Sequence, residues 1–293
     1  MSGLSAQGET LMELPVVQSL WTGPRLSVME QLSIRSFLQQ GHPFHLYTWG
    51  PVDQVPTGTV VRSITDILSP IEATNFCGDA ADDDMTGPCP FAGEREAFRY
   101  KLLHARGGWW TDLDIVCVRP FEFRDDHVLG HSREPDGRRR VATALIKAPA
   151  GSPLMQFCWE RSATVNRSPA ASKDAGTSIL GEALERVPAP VRILEPTIFS
   201  PIDYWQVWQL IRERQMPERC HAIRLWRGRW DRERLDPDAV YDLESLYEQL
   251  KRRFGVTSPA GAAYGPGWHS LTQVRIRQFK AGLRRTQPLL RAA

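Results

Sequence analysis

The sequence predicts an α/β protein: one domain over about residues 15–255, a short extension at 1–14 and a basic tail at 256–293. Three observations predict it. The chain opens as strand, helix, strand, strand, which suits neither an all-helical nor an all-β fold. The alternation of short apolar runs with amphipathic segments continues to about residue 255 with no internal repeat. Hydrophobic residues make up 42% and charged residues 24% of the 293, ordinary for a globular chain that can bury a large core.

The elements follow in order. "VVQSLWTG" (16–23) reads as a buried strand ending in a turn. "SVMEQLSIRSFLQQG" opens with Ser27-x-x-Glu30, a capping box, and stops at Gly41. Short strands are expected at 45–49 and 59–64. Residues 69–92, rich in Gly, Pro and Asp, read as a loop. Its Asp82-Asp83-Asp84 run fits a solvated acidic loop better than a lid over a ligand. A helix over 94–108 ends at glycine, and 139–149 reads as a strand. Helices are expected near 153–165, 177–186, 202–214 and 241–254, and late strands at 191–195 and 221–226.

Composition excludes several classes. The five cysteines are odd in number and form no CxxC pair, against a disulfide framework or a zinc ribbon. A reducing, cytoplasmic home is expected. The first residues carry no basic region followed by an apolar one, so no secretory signal is read there, and no run approaches 18 apolar residues. Residues 251–293 hold nine Lys/Arg and no acid, so a body with net charge −7 carries a basic tail. A tail helix at 270–285 fits a solvated or core-docked segment; the sharper expectation is peripheral contact with an anionic membrane at its inner face. Nucleic-acid binding is not expected, because no aromatic residues interleave with the basic ones in a recognisable motif.

The chemistry centres on "GGWWTDLDIVCVRPF" (107–121). Two glycines break a helix, two tryptophans follow, and Asp112 and Asp114 stand in front of an apolar run. On a continuing strand, residues i and i+2 share one face; if the strand ends there, both can reach one cation. Hard oxygen ligands suit Mg²⁺ or Mn²⁺, and such ions take their other ligands largely from substrate phosphates. By itself a D-x-D pair is a weak signal. Upstream, Glu96 and Arg99 share a helix face, and that helix runs directly into the glycines. Arg99 offers a fixed fork of donors for phosphate or sugar oxygens.

With these residues, "FRYKLLHARGGWWTDLDIVCVRPF" resembles the signature of the DxD sugar-binding glycosyltransferases, glycosyltransferase family 32 and its bacterial polysaccharide-synthesis relatives. Their pattern is an acid, Arg at i+3, an apolar helix, Gly-Gly, aromatics and D-x-D; Glu96, Arg99, Asp112 and Asp114 fall on those positions. "SLWTGPRLSVMEQLSIRSFLQQGHPFHLYTW" is similar to the family's first strand–helix–strand unit, and the likeness covers roughly residues 15–255. The chain departs in three places. The family acid is usually Asp, where Glu96 stands. An Asn is common near Ala142 and Thr143. The late His-Leu-Trp-Asn segment reads Arg224-Leu225-Trp226-Arg227.

The resemblance implies a glycosyltransferase A-type fold, a single α/β domain on a mixed, mostly parallel sheet. It implies retaining transfer of a hexose from a nucleotide-sugar, UDP favoured, to a glycan, lipid-linked or protein acceptor. A Mn²⁺ or Mg²⁺ ion would be held by Asp112 and Asp114. Glu96 and Arg99 would grip the donor sugar, with Thr143 as a further contact. Trp21 and Thr22, at the end of the first strand, would line the donor, where α/β sheets bind ligands. For the altered late segment three expectations stand: Arg224 or Arg227 neutralises the diphosphate, His221 replaces the missing metal ligand, or activity is weakened. Two rival functions remain beside transfer: a metal-dependent nucleotide-sugar hydrolase, and a non-catalytic binder of nucleotide-sugars.

Overall fold

The structure, a computed structural model, describes residues 13–69, 71–72, 92–165 and 175–266. The acidic run at 82–84, most of the N-terminal extension and the expected tail helix lie outside the described residues.

Strand β1 (Val17–Trp21) is buried almost throughout, as a central parallel strand should be. Its two polar residues are stitched to a neighbouring strand: Gln18 Nε2 donates to the Gly107 carbonyl and Ser19 Oγ to that of Thr111, each at 2.7 Å. Helix α1 (Val28–Gln39) starts where expected, with the Ser27 N–H donating to Glu30 Oε2 at 2.7 Å. Strands β2 (Phe44–Thr48) and β3 (Thr59–Ser63) follow. Helix α2 (Ala92–Arg106) runs to Gly107, whose φ of +65° and N–H bond to Leu103 O at 2.8 Å close it. Then come β4 (Gly108–Thr111), β5 (Ile115–Cys117), β6 (His127–Arg133) and β7 (Arg139–Ala148). Helices α3 (Pro153–Val165) and α4 (Ala175–Arg186) lead to β8 (Val191–Leu194) and α5 (Pro196–Phe199). Helix α6 (Gln209–Arg212), β9 (Ala222–Arg224), α7 (Arg227–Glu233) and α8 (Leu246–Phe254) complete the described chain.

Among the described residues seven strands form one sheet in the order β3-β2-β1-β4-β7-β6-β8. Pairs β3/β2, β2/β1, β1/β4 and β6/β8 are parallel, and β7 runs antiparallel to both of its neighbours. The mixed, mostly parallel sheet expected above is therefore present. Strands β5 and β9 pair antiparallel in a separate two-stranded sheet.

Alternation along β4 sends its two tryptophans to opposite faces. Trp110 packs with Phe98, Leu102, Leu154 and Leu180 of α2, α3 and α4, while Trp109 packs with Phe121 and Phe199. A third cluster, around Trp230, Tyr241 and Tyr247, ties the C-terminal helices to α1.

Three expectations on elements are corrected. Strand β6 was missed because "HVLGHSR" lacks clean alternation; its register shifts between Leu129 and Gly130. A Cβ at Gly130 would meet Phe199 Cδ2 at 2.9 Å, so packing chooses glycine there. The helix expected at 202–214 is broken into a 3₁₀ turn at Tyr204–Gln206 and the short α6. Arg133 Nε grips the Asp203 carboxylate at 2.9 Å, and Asp203 is extended, so no helix begins before it. The helix expected from 241 begins only at Leu246, where Ser245 caps it. Among the described residues no helix is long and apolar enough to cross a membrane.

Candidate active site

The two glycines position the acids. A Cβ at Gly107 would come within 2.5 Å of Ala150 N, and one at Gly108 within 2.8 Å of Val16 O. Only glycine lets the chain leave α2 and lie this close to β1 and to the turn after β7. Strand β4 then ends at Thr111, and the Asp112 N–H donates to Ala144 O at 2.7 Å. The Ile115 N–H returns to Asp112 O at 3.2 Å, closing a tight turn. Asp112 and Asp114 thus sit on the turn that carries the chain from the large sheet to the small one. They lie at the C-terminal end of β4, beside the end of the parallel strand β1.

Each carboxylate is held from several sides. Arg99, 3% exposed, donates through Nη1 to Glu96 Oε2 at 2.5 Å and through Nη2 to Asp112 Oδ1 at 3.0 Å. The same Oδ1 accepts from Trp110 Nε1–H at 3.1 Å, and the Arg99 guanidinium stands 4.9 Å over the Trp110 ring. Burial works against the charge on Arg99, but Glu96 and Asp112 outweigh it and hold the guanidinium firmly protonated. Glu96 in turn lies against the backbone of Gly176 at the start of α4, where any Cβ would overlap its carboxylate. Tyr100 Oη–H donates to Gly176 O at 3.0 Å and fixes that contact.

Strand β9 brings the second arginine. Arg224 pairs with Ile115, so its side chain arrives directly beside the turn. Its Nε lies 3.5 Å from Asp114 Oδ2 and its Nη2 lies 3.5 Å from Asp112 Oδ2. The guanidinium also stacks 4.2 Å from the Trp226 ring, which is anchored by its Nε1–H to Ile202 O at 2.7 Å. Leu225 N–H donates to Asp114 O at 2.7 Å, then Trp226 adopts a left-handed φ of 61° and ends the strand. Burial is the main influence on Asp114, which is 7% exposed, and it pushes that carboxyl up against the opposing pull of Arg224. Asp114 Oδ1 is buried and has no hydrogen-bond partner among the described residues.

The residues singled out in the sequence divide into two groups. Glu96, Arg99, Asp112, Asp114 and Arg224 meet in one connected constellation. Arg227 reaches it only through its backbone: its N–H donates to Asp114 Oδ2 at 3.1 Å, while its guanidinium turns to Glu30 at 3.0 Å and to Asp231 at 3.2 Å. His221, expected above as a replacement metal ligand, lies at the other end of β5 from the acids. Its carbonyl pairs with Val118 at the far end of β5, its Nδ1 meets Pro120 O at 3.1 Å, and its ring packs 5.0 Å from Phe123. Antiparallel pairing starts β9 at that end and runs it towards the acids, so His221, which precedes the strand, stays at the far end.

Trp21 and Thr22 stand at the C-terminal end of β1, at the same edge of the sheet as the acids, and are partly exposed. Trp21 Nε1 is buried with no partner among the described residues, and Gly23 folds onto the ring, where a Cβ would come within 3.1 Å of it. Thr143 lies on β7 beside Ala144, whose carbonyl holds Asp112. Alternation along the strand predicts that at most one of Trp109 and Trp110 faces the site; it is Trp110, which is i−2 to Asp112 and shares that residue's side of the chain. Two further supporting residues are not expected from the sequence. Gly176 and Trp226 carry no such local signal.

Asp112 and Asp114 present hard oxygen donors of the kind that hold Mg²⁺ or Mn²⁺, and the orphaned Asp114 Oδ1 leaves one such donor unused. Among the described residues no group of three or more His, Cys, Asp and Glu gathers into a metal site. A divalent ion here would therefore take its other ligands from water or from a bound phosphate.

Fold and site together define an α/β protein with an acid–arginine constellation at the C-terminal edge of its parallel strands. No protein-family model matches the chain, and no curated protein matches it. Among solved structures the chain is similar to one described as PaToxG Glycosyltransferase, at 15% identity and a TM-score of 0.42, over 60% of this chain and 71% of that one.

Proposed function

We propose that the protein is a retaining glycosyltransferase that moves a hexose from a nucleotide-sugar, UDP favoured, to a saccharide-type acceptor. One observation carries the reading: Glu96, Arg99, Asp112, Arg224 and Asp114 form a single chain of alternating charges at the sheet edge where such folds bind ligands.

The leaving group is a nucleoside diphosphate, and its departure concentrates negative charge on the diphosphate oxygens. Asp112 and Asp114 would hold a Mn²⁺ or Mg²⁺ ion, which supplies Lewis-acid stabilisation of that charge. Arg99 and Glu96 face the donor sugar from the helix side, where their fixed geometry orients it. Trp21 offers a flat ring for the base. In a front-face transfer the acceptor oxygen forms the new bond to the anomeric carbon as the bond to the diphosphate oxygen breaks. The bonding pair leaves with that oxygen, which then takes the acceptor's proton. Retention needs no carboxylate nucleophile in this scheme, and the site nominates none.

The test incubates the protein with UDP- and GDP-sugars and Mn²⁺ and follows nucleoside diphosphate release with and without saccharide acceptors. Release that rises with acceptor supports transfer. Acceptor-independent turnover replaces it with hydrolysis. Saturable binding without turnover makes the protein a non-catalytic binder, a reading the guanidinium across both carboxylates favours. Asp112→Asn and Asp114→Asn should each lower release by about a hundredfold or more while leaving the unfolding temperature near that of the parent.

A further inference from the structure

Asp112 and Asp114 already share a cation. Arg224 reaches both Oδ2 atoms with two different nitrogens, each at 3.5 Å. Those are the longest contacts in the constellation: Arg99 meets Asp112 at 3.0 Å, and the Arg227 N–H meets Asp114 at 3.1 Å. The other groups that hold the acids are fixed. Arg99 is pinned between Glu96 and Asp112, and the Arg227 donor is main chain. Arg224 alone is bound loosely, and the Trp226 ring 4.2 Å away gives it a resting face that does not depend on the carboxylates.

We infer that Arg224 is a resident counter-ion of the carboxylate pair, one that a divalent metal displaces only when the metal arrives together with a nucleotide diphosphate. The inference rests on the metal-dependent transferase reading above and deepens it. Two adjacent carboxylates, one of them nearly buried, need a positive partner in the resting protein. A bare metal ion must enter against the guanidinium's charge. A metal carried by a diphosphate brings negative charge with it, and Arg224, released from the acids, moves onto the phosphate oxygens, which its planar fork suits. Metal and nucleotide then bind with strong mutual dependence, each tightening the other by the same factor.

The experiment measures Mn²⁺ affinity of the full chain by electron paramagnetic resonance of free Mn²⁺ and by calorimetry, with and without UDP. The parent should bind Mn²⁺ weakly alone and far more tightly with UDP. Arg224→Gln removes the charge and keeps a polar side chain, and should bind Mn²⁺ alone about tenfold more tightly or better, with a smaller gain on adding UDP. Arg224→Lys keeps the charge but not the fork, and should bind Mn²⁺ alone as weakly as the parent, with a smaller gain on adding UDP. Equal or weaker Mn²⁺ binding by Arg224→Gln without UDP overturns the inference while leaving the transferase reading in place, provided Asp112→Asn and Asp114→Asn still abolish the UDP-dependent binding. Mn²⁺ binding untouched by either Asp→Asn change, or absent even with UDP, overturns the metal reading and this inference with it.

Discussion

The Trp110 indole N–H donates to Oδ1 of Asp112 across 3.1 Å, so a fully buried core side chain aims a carboxylate of the site. The same ring carries the Arg99 guanidinium at 4.9 Å. Trp110→Phe keeps an aromatic ring but removes the donor together with the five-membered part of the indole, so unfolding is measured beside turnover. We expect turnover to fall about tenfold with KM changed far less, because a net hydrogen bond to a charged group contributes on the order of 1.5–3 kcal/mol and only part of it is specific to the transition state. Steady-state nucleoside diphosphate release measures it.

Arg99 spans Glu96 and Asp112 with two nitrogens of one planar group. Lysine has a single point charge and cannot serve both carboxylates in that geometry. Arg99→Lys should therefore lower turnover by about a hundredfold, and stability by about 1–3 kcal/mol as one buried acceptor loses its partner. Urea unfolding alongside the kinetics separates the two effects.

Gly108 and Gly137 share a positive φ, +86° and +84°, but not their surroundings. A Cβ on Gly108 would stand 2.8 Å from Val16 O, whereas one on Gly137 would meet nothing within 4 Å. Gly137→Ala should cost about 1 kcal/mol from backbone strain alone, and Gly108→Ala at least about 2 kcal/mol more, because β4 must move off β1. Denaturant midpoints of the two variants give the comparison.

His42 links three segments in a fixed tautomer. Its Nδ1–H donates to Pro15 O and its Nε2 accepts from the Phe121 N–H, both at 3.0 Å. Burial pushes its pKa below the ordinary 6.5, although Pro15 and Glu122 oppose the shift. The unfolded chain then binds a proton that the folded chain refuses, so this contribution is complete above pH 6.5 and is lost as pH falls below it. The parent should lose stability between pH 7 and 5.5. His42→Asn should cost about 1–3 kcal/mol at pH 7 and show a shallower acid slope, which denaturation at the two pH values reads directly.

Much of the fold was legible because it is local. The capping box at Ser27 and Glu30, the helix stop at Gly107, and the alternation that parts Trp109 from Trp110 all lie within a few residues of one another. The Glu96–Arg99 pair one helical turn apart is of the same kind. Elements failed to be legible where packing overruled pattern: β6 hides behind a bulge shaped to admit Phe199, and Asp203, drawn to Arg133, forbids the helix that the surrounding residues favour.

The sequence by itself determined the class of fold, the helix that presents Glu96 and Arg99, and the two acids at the head of an apolar run. It could not say which late residue meets those acids. Arg224, His221 and Arg227 lie within seven positions of one another, yet only Arg224 sets its side chain across Asp112 and Asp114. The reason is non-local. The register that pairs Arg224 with Ile115 places it beside the turn, His221 is left at the start of β9 opposite the far end of β5, and the left-handed turn at Trp226 points the Arg227 amide, rather than its guanidinium, at Asp114.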